Sequence, residues 1–159
     1  MRTTNLLEAI RVVKENERIA SESYANAAKK ITSLGRKLFE QLSEFEKFHY
    51  DRLTDLERSL EEKGDFISYE GKELILPPVL EIKFTEKPDS KSMLEIISEA
   101  MKLEKKAEKT YADLAAQLSD PQGHKMFIRF SKEERNHYDI LEEAFWSLNQ
   151  TGVWKWSHP

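Results

Sequence analysis

Glu46-Lys-Phe-His49 and Glu134-Arg-Asn-His137 repeat one spacing, Glu-x-x-His. Residues three apart share a helix face, so each pair can offer one oxygen and one nitrogen to the same metal ion. Two further acids, Glu17 and Glu104, interrupt otherwise apolar stripes, and each is followed seven positions later by a tyrosine, Tyr24 and Tyr111. Four buried carboxylates in one layer would repel one another and be driven towards protonation. Two divalent cations would bring four positive charges against those four negative ones. The chemistry implied is a dinuclear metal site with Glu17, Glu46, His49, Glu104, Glu134 and His137 as ligands. Manganese or zinc could fill it as well as iron, because mixed nitrogen and oxygen donors do not discriminate strongly.

Four helices are needed to place those residues at one height. Leu6, Ile10, Val13, Glu17, Ala20, Tyr24, Ala27 and Ile31 recur at steps of three and four, predicting a helix over about 4–32 capped by Thr3 or Thr4. Leu38, Leu42, Phe45, His49, Leu53, Leu56 and Leu60 predict a second over 35–63, with Gly64 at a position that favours positive φ. Met93, Ile97, Ala100, Glu104, Ala107, Tyr111, Leu114 and Leu118 predict a third over 90–118. The fourth, over 121–149, opens on Asp120-Pro121, a capping side chain followed by proline at the first helical position. Counted from the joints at Ser33-Leu34-Gly35 and Ser119-Asp120, all six ligand candidates fall within about one helical turn of a common layer.

The joints are short, long, short. Residues 64–89 form the long one, with Gly71, Pro77, Pro78 and Pro88 and short β-prone runs at Phe66–Tyr69 and Leu74–Leu76. A helix of about 28 residues is about 42 Å long, and an extended crossover of this length reaches up to about 85 Å. It can return the chain to the far end, which the short joints cannot. The two halves also repeat. A shift of 87 lays Glu17 on Glu104 and Tyr24 on Tyr111, and a shift of 88 lays Glu46 on Glu134 and His49 on His137. The expected fold class is all-α: one domain over 1–159, a four-helix bundle of two antiparallel helical hairpins joined by the crossover.

Composition agrees. At 159 residues and 39% apolar content the chain can build one core. Twenty-nine acids against 25 bases argue against nucleic acid or an anionic membrane as a partner. The absence of cysteine excludes disulfides, thiolate nucleophiles and Cys-based zinc or iron–sulfur sites. Charged residues throughout the first 17 positions leave no apolar run for a signal peptide, so a cytoplasmic location is expected.

The Glu-x6-Tyr pairs at Glu17–Tyr24 and Glu104–Tyr111, with Glu-x-x-His at Glu46–His49 and Glu134–His137, make the sequence resemble the rubrerythrin-like branch of the ferritin-like di-iron family. The resemblance implies a ferritin-like bundle and two iron ions held by those six residues. It also implies an oxidoreductase that reduces peroxide or O₂ with electrons from a separate donor protein. Two departures stand out. The four cysteines of a rubredoxin domain are missing. Where the family has an additional glutamate one turn beyond the third-helix ligand, this sequence has Ala107, so the redox-linked iron movement associated with that glutamate does not carry over. The alternative is a metal-binding or iron-handling protein, a ferroxidase or a sequestering protein, without redox turnover. A purely structural bundle is the third reading.

Other residues carry blander expectations. Tyr24 and Tyr111 are expected to hydrogen-bond a ligand carboxylate. Asp51 and Asp139 belong to solvated faces, Tyr50 and Tyr138 to packing, and His124 and His158 lack partners at ligand spacing. Trp154 and Trp156 in the C-terminal tail over 150–159, with Phe145 and Trp146 just before it, make an apolar end to the chain, expected to pack on the bundle or across a homodimer. The closing Trp-Ser-His-Pro matches the start of a common affinity tag and receives no functional weight.

Overall fold

The computed structural model describes residues 3–31, 35–83 and 90–157. In chain order the elements are α1 (Thr3–Lys29), α2 (Arg36–Lys63), β1 (Val79–Lys83), α3 (Ser90–Ala116), α4 (Pro121–Thr151) and β2 (Val153–Ser157). α1 packs on α2 and α3 on α4, giving the expected four-helix bundle of two hairpins. Thr3 and Thr4 both lie inside α1 and do not flank it. Ser33, Leu34, Asp89 and His158 fall outside the described residues.

The helix ends obey local chemistry. Asp120 Oδ1 accepts from the Gln122 and Gly123 amides at 2.9 and 3.0 Å, with Pro121 in the first turn. Gly64 closes α2 with φ of 72°, and its amide donates to the Leu60 carbonyl.

The apolar stripes meet in two clusters. One holds Ile31, Phe39, Leu42, Ile97, Leu141 and Leu148; the other holds Leu6, Ile10, Leu53, Leu56, Phe127 and Phe130. The ionisable layer lies between them, braced on both sides by close-packed side chains.

The crossover departs from its expected form. Neither Phe66–Tyr69 nor Leu74–Leu76 is a strand. The strand is Val79–Lys83, immediately after Pro77-Pro78, and it pairs antiparallel with Val153–Ser157. Strand formation depends on an available partner more than on intrinsic preference, and the C-terminal tail supplies that partner. Leu80 faces Trp156 and Ile82 faces Trp154 across the ladder. Leu80, Ile82 and Trp154 are buried in the bundle core, and Trp154 Nε1 donates to Glu143 at 3.2 Å. The Gly35 amide donates to the Glu81 carbonyl at 2.9 Å, fixing β1 to the α1–α2 joint. The tail, treated in sequence as tag-like at its end, is thus part of the folded unit up to Ser157.

Residues 65–76 instead use their side chains to cover α2 and α4. Tyr69 packs on Phe130, with ring centroids 4.7 Å apart, and Lys72 Nζ stands 4.8 Å from the centre of the Phe48 ring. Gly71 has φ of 92°, and a Cβ there would lie 2.2 Å from Arg129 Nε. Only glycine lets the backbone pass this close and turn the Lys72 amide towards α4.

Candidate metal centre

Each helix brings its acid to the layer by the three-and-four spacing of its stripe. α1 contributes Glu17, α2 Glu46 and His49, α3 Glu104, and α4 Glu134 and His137; all six are at most 3% exposed. They form two overlapping groups, Glu17–Glu46–His49–Glu134 and Glu46–Glu104–Glu134–His137, within each of which one potential ligand atom per residue lies within 4.8 Å of the others. Glu46 and Glu134 are common to both. His49 Nδ1 lies 2.8 Å from Glu134 Oε1, 3.6 Å from Glu17 Oε1 and 3.7 Å from Glu46 Oε2. His137 Nδ1 lies 3.2 Å from Glu46 Oε1 and 3.5 Å from Glu104 Oε1.

The tyrosines cross between the repeats. Tyr24 of α1 donates to Glu104 Oε1 of α3 at 2.6 Å, and Tyr111 of α3 donates to Glu17 Oε1 of α1. Each phenol therefore serves the glutamate of the opposite hairpin, not the one seven residues before it.

The donor set fits a pair of cations. Glu17 Oε2, Glu104 Oε2, Glu134 Oε1, His49 Nδ1 and His137 Nε2 are buried and have no hydrogen-bond partner among the described protein groups. Orphaned buried oxygens and nitrogens are expensive unless something coordinates them. The mix of hard oxygen and imidazole nitrogen suits iron, manganese or zinc.

Without cations, protons balance the layer. Burial, reinforced by neighbouring carboxylates, pushes Glu17 and Glu134 well above the usual carboxylate range. Burial also opposes ionisation of Glu46, but hydrogen bonds from Glu17, His137 and His49 outweigh it and hold Glu46 well below that range. Burial would push both imidazoles down. The surrounding carboxylates of Glu133, Glu134, Glu17 and Glu46, which favour the protonated ring, instead raise His49 well above its ordinary value, and those of Glu104 and Glu46 raise His137 to about 9. Cations entering this layer must expel those protons.

One buried acid escaped the sequence reading. Glu133 is 5% exposed and lies 2.8 Å from His49 Nε2 through its Oε1. It also accepts from the Tyr69 hydroxyl at 2.6 Å, the Lys72 amide at 2.7 Å and Arg129 Nε at 3.1 Å. A signal existed: the 88-residue shift lays Glu133 on Phe45, a core position. Asp51 and Asp139 are exposed and pair with Lys47 and Arg135, and His124 bonds the Ala115 carbonyl at 2.8 Å.

The layer is open on one side. A cavity of about 220 Å³ between α1 and α3 reaches Glu17, Glu46, Glu104 and Glu134 past walls that include Val13, Ile19, Ala20 and Ala107. The α2–α4 side is covered by the crossover.

The four-helix bundle is ferritin-like, and its middle layer gathers four glutamates and two histidines from all four helices in an arrangement that could bind metal. The family described as rubrerythrin matches residues 77–153, which include β1, α3 and α4 and end at the first residue of β2. Over that stretch the chain is similar to the rubrerythrin family, and its buried Glu/His cluster is compatible with a di-iron site. A solved structure of a hypothetical protein from Pyrococcus furiosus has the same fold. Its TM-score is 0.72 at 23% identity, covering 91% of this chain and 90% of that one. No curated protein matches the chain. Among the described residues, no helix is long and apolar enough to cross a membrane.

Proposed function

We propose that this chain is a di-iron oxidoreductase that reduces peroxide or O₂ using electrons from a separate donor. The observation carrying the proposal is the pair of overlapping ligand groups sharing Glu46 and Glu134, which would hold two cations side by side. Two ferrous ions held there would each supply one electron, and peroxide would take both, with two protons, to become two waters.

The chain's own residues do the rest. Glu17, Glu46, His49, Glu104, Glu134 and His137 would hold the ions. Tyr24 and Tyr111 aim the Glu104 and Glu17 carboxylates by donating to one oxygen of each. The two apolar clusters exclude water from above and below the layer, and the α1–α3 cavity is the route for a small oxidant. These 159 residues contain no cysteine for an iron–sulfur or rubredoxin-type centre, which supports a separate electron donor.

The test is anaerobic loading with Fe(II) followed by stoichiometric peroxide. Oxidation much faster than that of free Fe(II), with restoration by a reductant, supports turnover. Oxidation no faster than free Fe(II) in a protein that nevertheless holds two metals leaves the second reading, a binding or iron-handling protein. That reading draws on the same donor set, which takes manganese or zinc as readily.

A further inference from the structure

The centre follows the twofold repeat, but its surroundings do not. Under the 88-residue shift Glu134 answers to Glu46 and His137 to His49, yet Glu133 answers to Phe45. Behind His49 stands a carboxylate. Its Oε1 meets His49 Nε2 and the Tyr69 hydroxyl, and its Oε2 accepts from the Lys72 amide and Arg129. Four partners saturate the group, and two of them belong to the crossover. Beside His137 stands an aromatic ring: Phe45 meets the imidazole at nearly a right angle with centroids 4.4 Å apart, and His137 Nε2 is buried without a hydrogen-bond partner among the described residues. A duplicated hairpin has one crossover, so the fold braces one imidazole in this way and not both.

A carboxylate on the outer ring nitrogen keeps the proton there, turns the other nitrogen's lone pair inward and strengthens it as a donor. His49 has that support, and its Nδ1 faces Glu17, Glu46 and Glu134. His137 has no acceptor for an outer proton. We infer that the two cation positions are unequal: the position built from Glu17 and His49 fills first and binds more tightly. Glu133 is its positioning residue, and the crossover around Tyr69 and Lys72 is the brace that holds Glu133. This rests on the dimetal reading above.

The test is anaerobic titration of the metal-free full chain with cobalt(II), followed by calorimetry and visible absorption. Wild type should show two steps, the first at least about tenfold tighter. Glu133→Leu should weaken that first step by about 10–100-fold and leave the second in place. Glu133→Gln, which keeps an acceptor for His49, should fall between, and it decides the matter if Glu133→Leu does not fold. His137→Ala should remove the weaker step and His49→Ala the tighter one. Two equal steps in wild type, or a first step indifferent to both Glu133 substitutions, would overturn the inequality and leave the dinuclear centre standing. A folded wild-type chain that takes up no cobalt would end the dimetal reading and this inference with it.

Discussion

Tyr111, on the third helix, donates its phenolic hydrogen to Glu17 on the first. Its repeat partner does the reverse, Tyr24 reaching Glu104. The bundle is therefore tied across its pseudo-twofold axis through the same carboxylates that line the proposed centre. Burial, and then the nearby acids, push both phenols well above their ordinary range, so they stay protonated as donors.

Removing one such donor should be costly. Tyr111→Phe leaves Glu17 Oε1 without its partner in a buried site, where an unsatisfied acceptor costs about 1–3 kcal/mol. Urea denaturation of the metal-free protein should show a loss of that size. Tyr24→Phe should behave alike through Glu104. A loss near zero in both would mean that the carboxylates rearrange to find other partners.

Metal loading should offset the pH dependence of stability. In the folded, metal-free chain His137 titrates at about 9, above its unfolded value of about 6.5. A raised value means that the folded state holds the proton more tightly. The stabilisation is complete below pH 6.5 and disappears as pH rises through 9. The melting temperature of the metal-free protein should fall across that window, each kcal/mol being worth about 2–4 °C at this chain length. The metal-loaded protein competes with those protons, so its advantage over the metal-free form should grow as pH rises. Parallel thermal melts with and without chelator check both slopes.

The helices and the six-residue layer were legible because both depend on local spacing. Glu17, Glu46, Glu104 and Glu134 break apolar stripes at positions whose heights follow from rise per residue and joint position alone. The tyrosine partners were only half legible: spacing along one helix suggested a bond to a ligand carboxylate but not the exchange between hairpins. β1 and β2 were invisible, since Val79–Lys83 becomes a strand only when Val153–Ser157 arrives beside it. Glu133 was visible only through the repeat, which lays it on the core position of Phe45, and not through its own helix. Its burial comes from Tyr69 and Lys72, some sixty residues away in sequence, and no helical period reports that.

The tail should contribute to stability. Trp154 is 1% exposed and lies among Leu80, Ile82 and Leu148. Truncating a buried tryptophan to alanine costs about 3–5 kcal/mol. Trp154→Ala should lower urea stability by that order, whereas Trp146→Ala, at a side chain 52% exposed, should change it by less than about 0.5 kcal/mol. Equal effects would show that β2 is dispensable.

Access to the centre should depend on Ala107. With its repeat partner Ala20 it lines the cavity between α1 and α3 that reaches all four glutamates, and the opposite side is covered by residues 65–76. Both alanines lie one turn beyond a ligand candidate, so a larger side chain there would project into the passage without replacing a ligand. Ala107→Phe should slow peroxide-driven oxidation of the Fe(II)-loaded protein by at least about tenfold, a barrier increase of about 1.4 kcal/mol. Metal content at equilibrium should match wild type, because the six donors are untouched. Stopped-flow oxidation combined with elemental analysis separates the two effects. A rate unchanged by Ala107→Phe and by Ala20→Phe would mean that oxidant enters elsewhere, and the remaining path would be through the crossover.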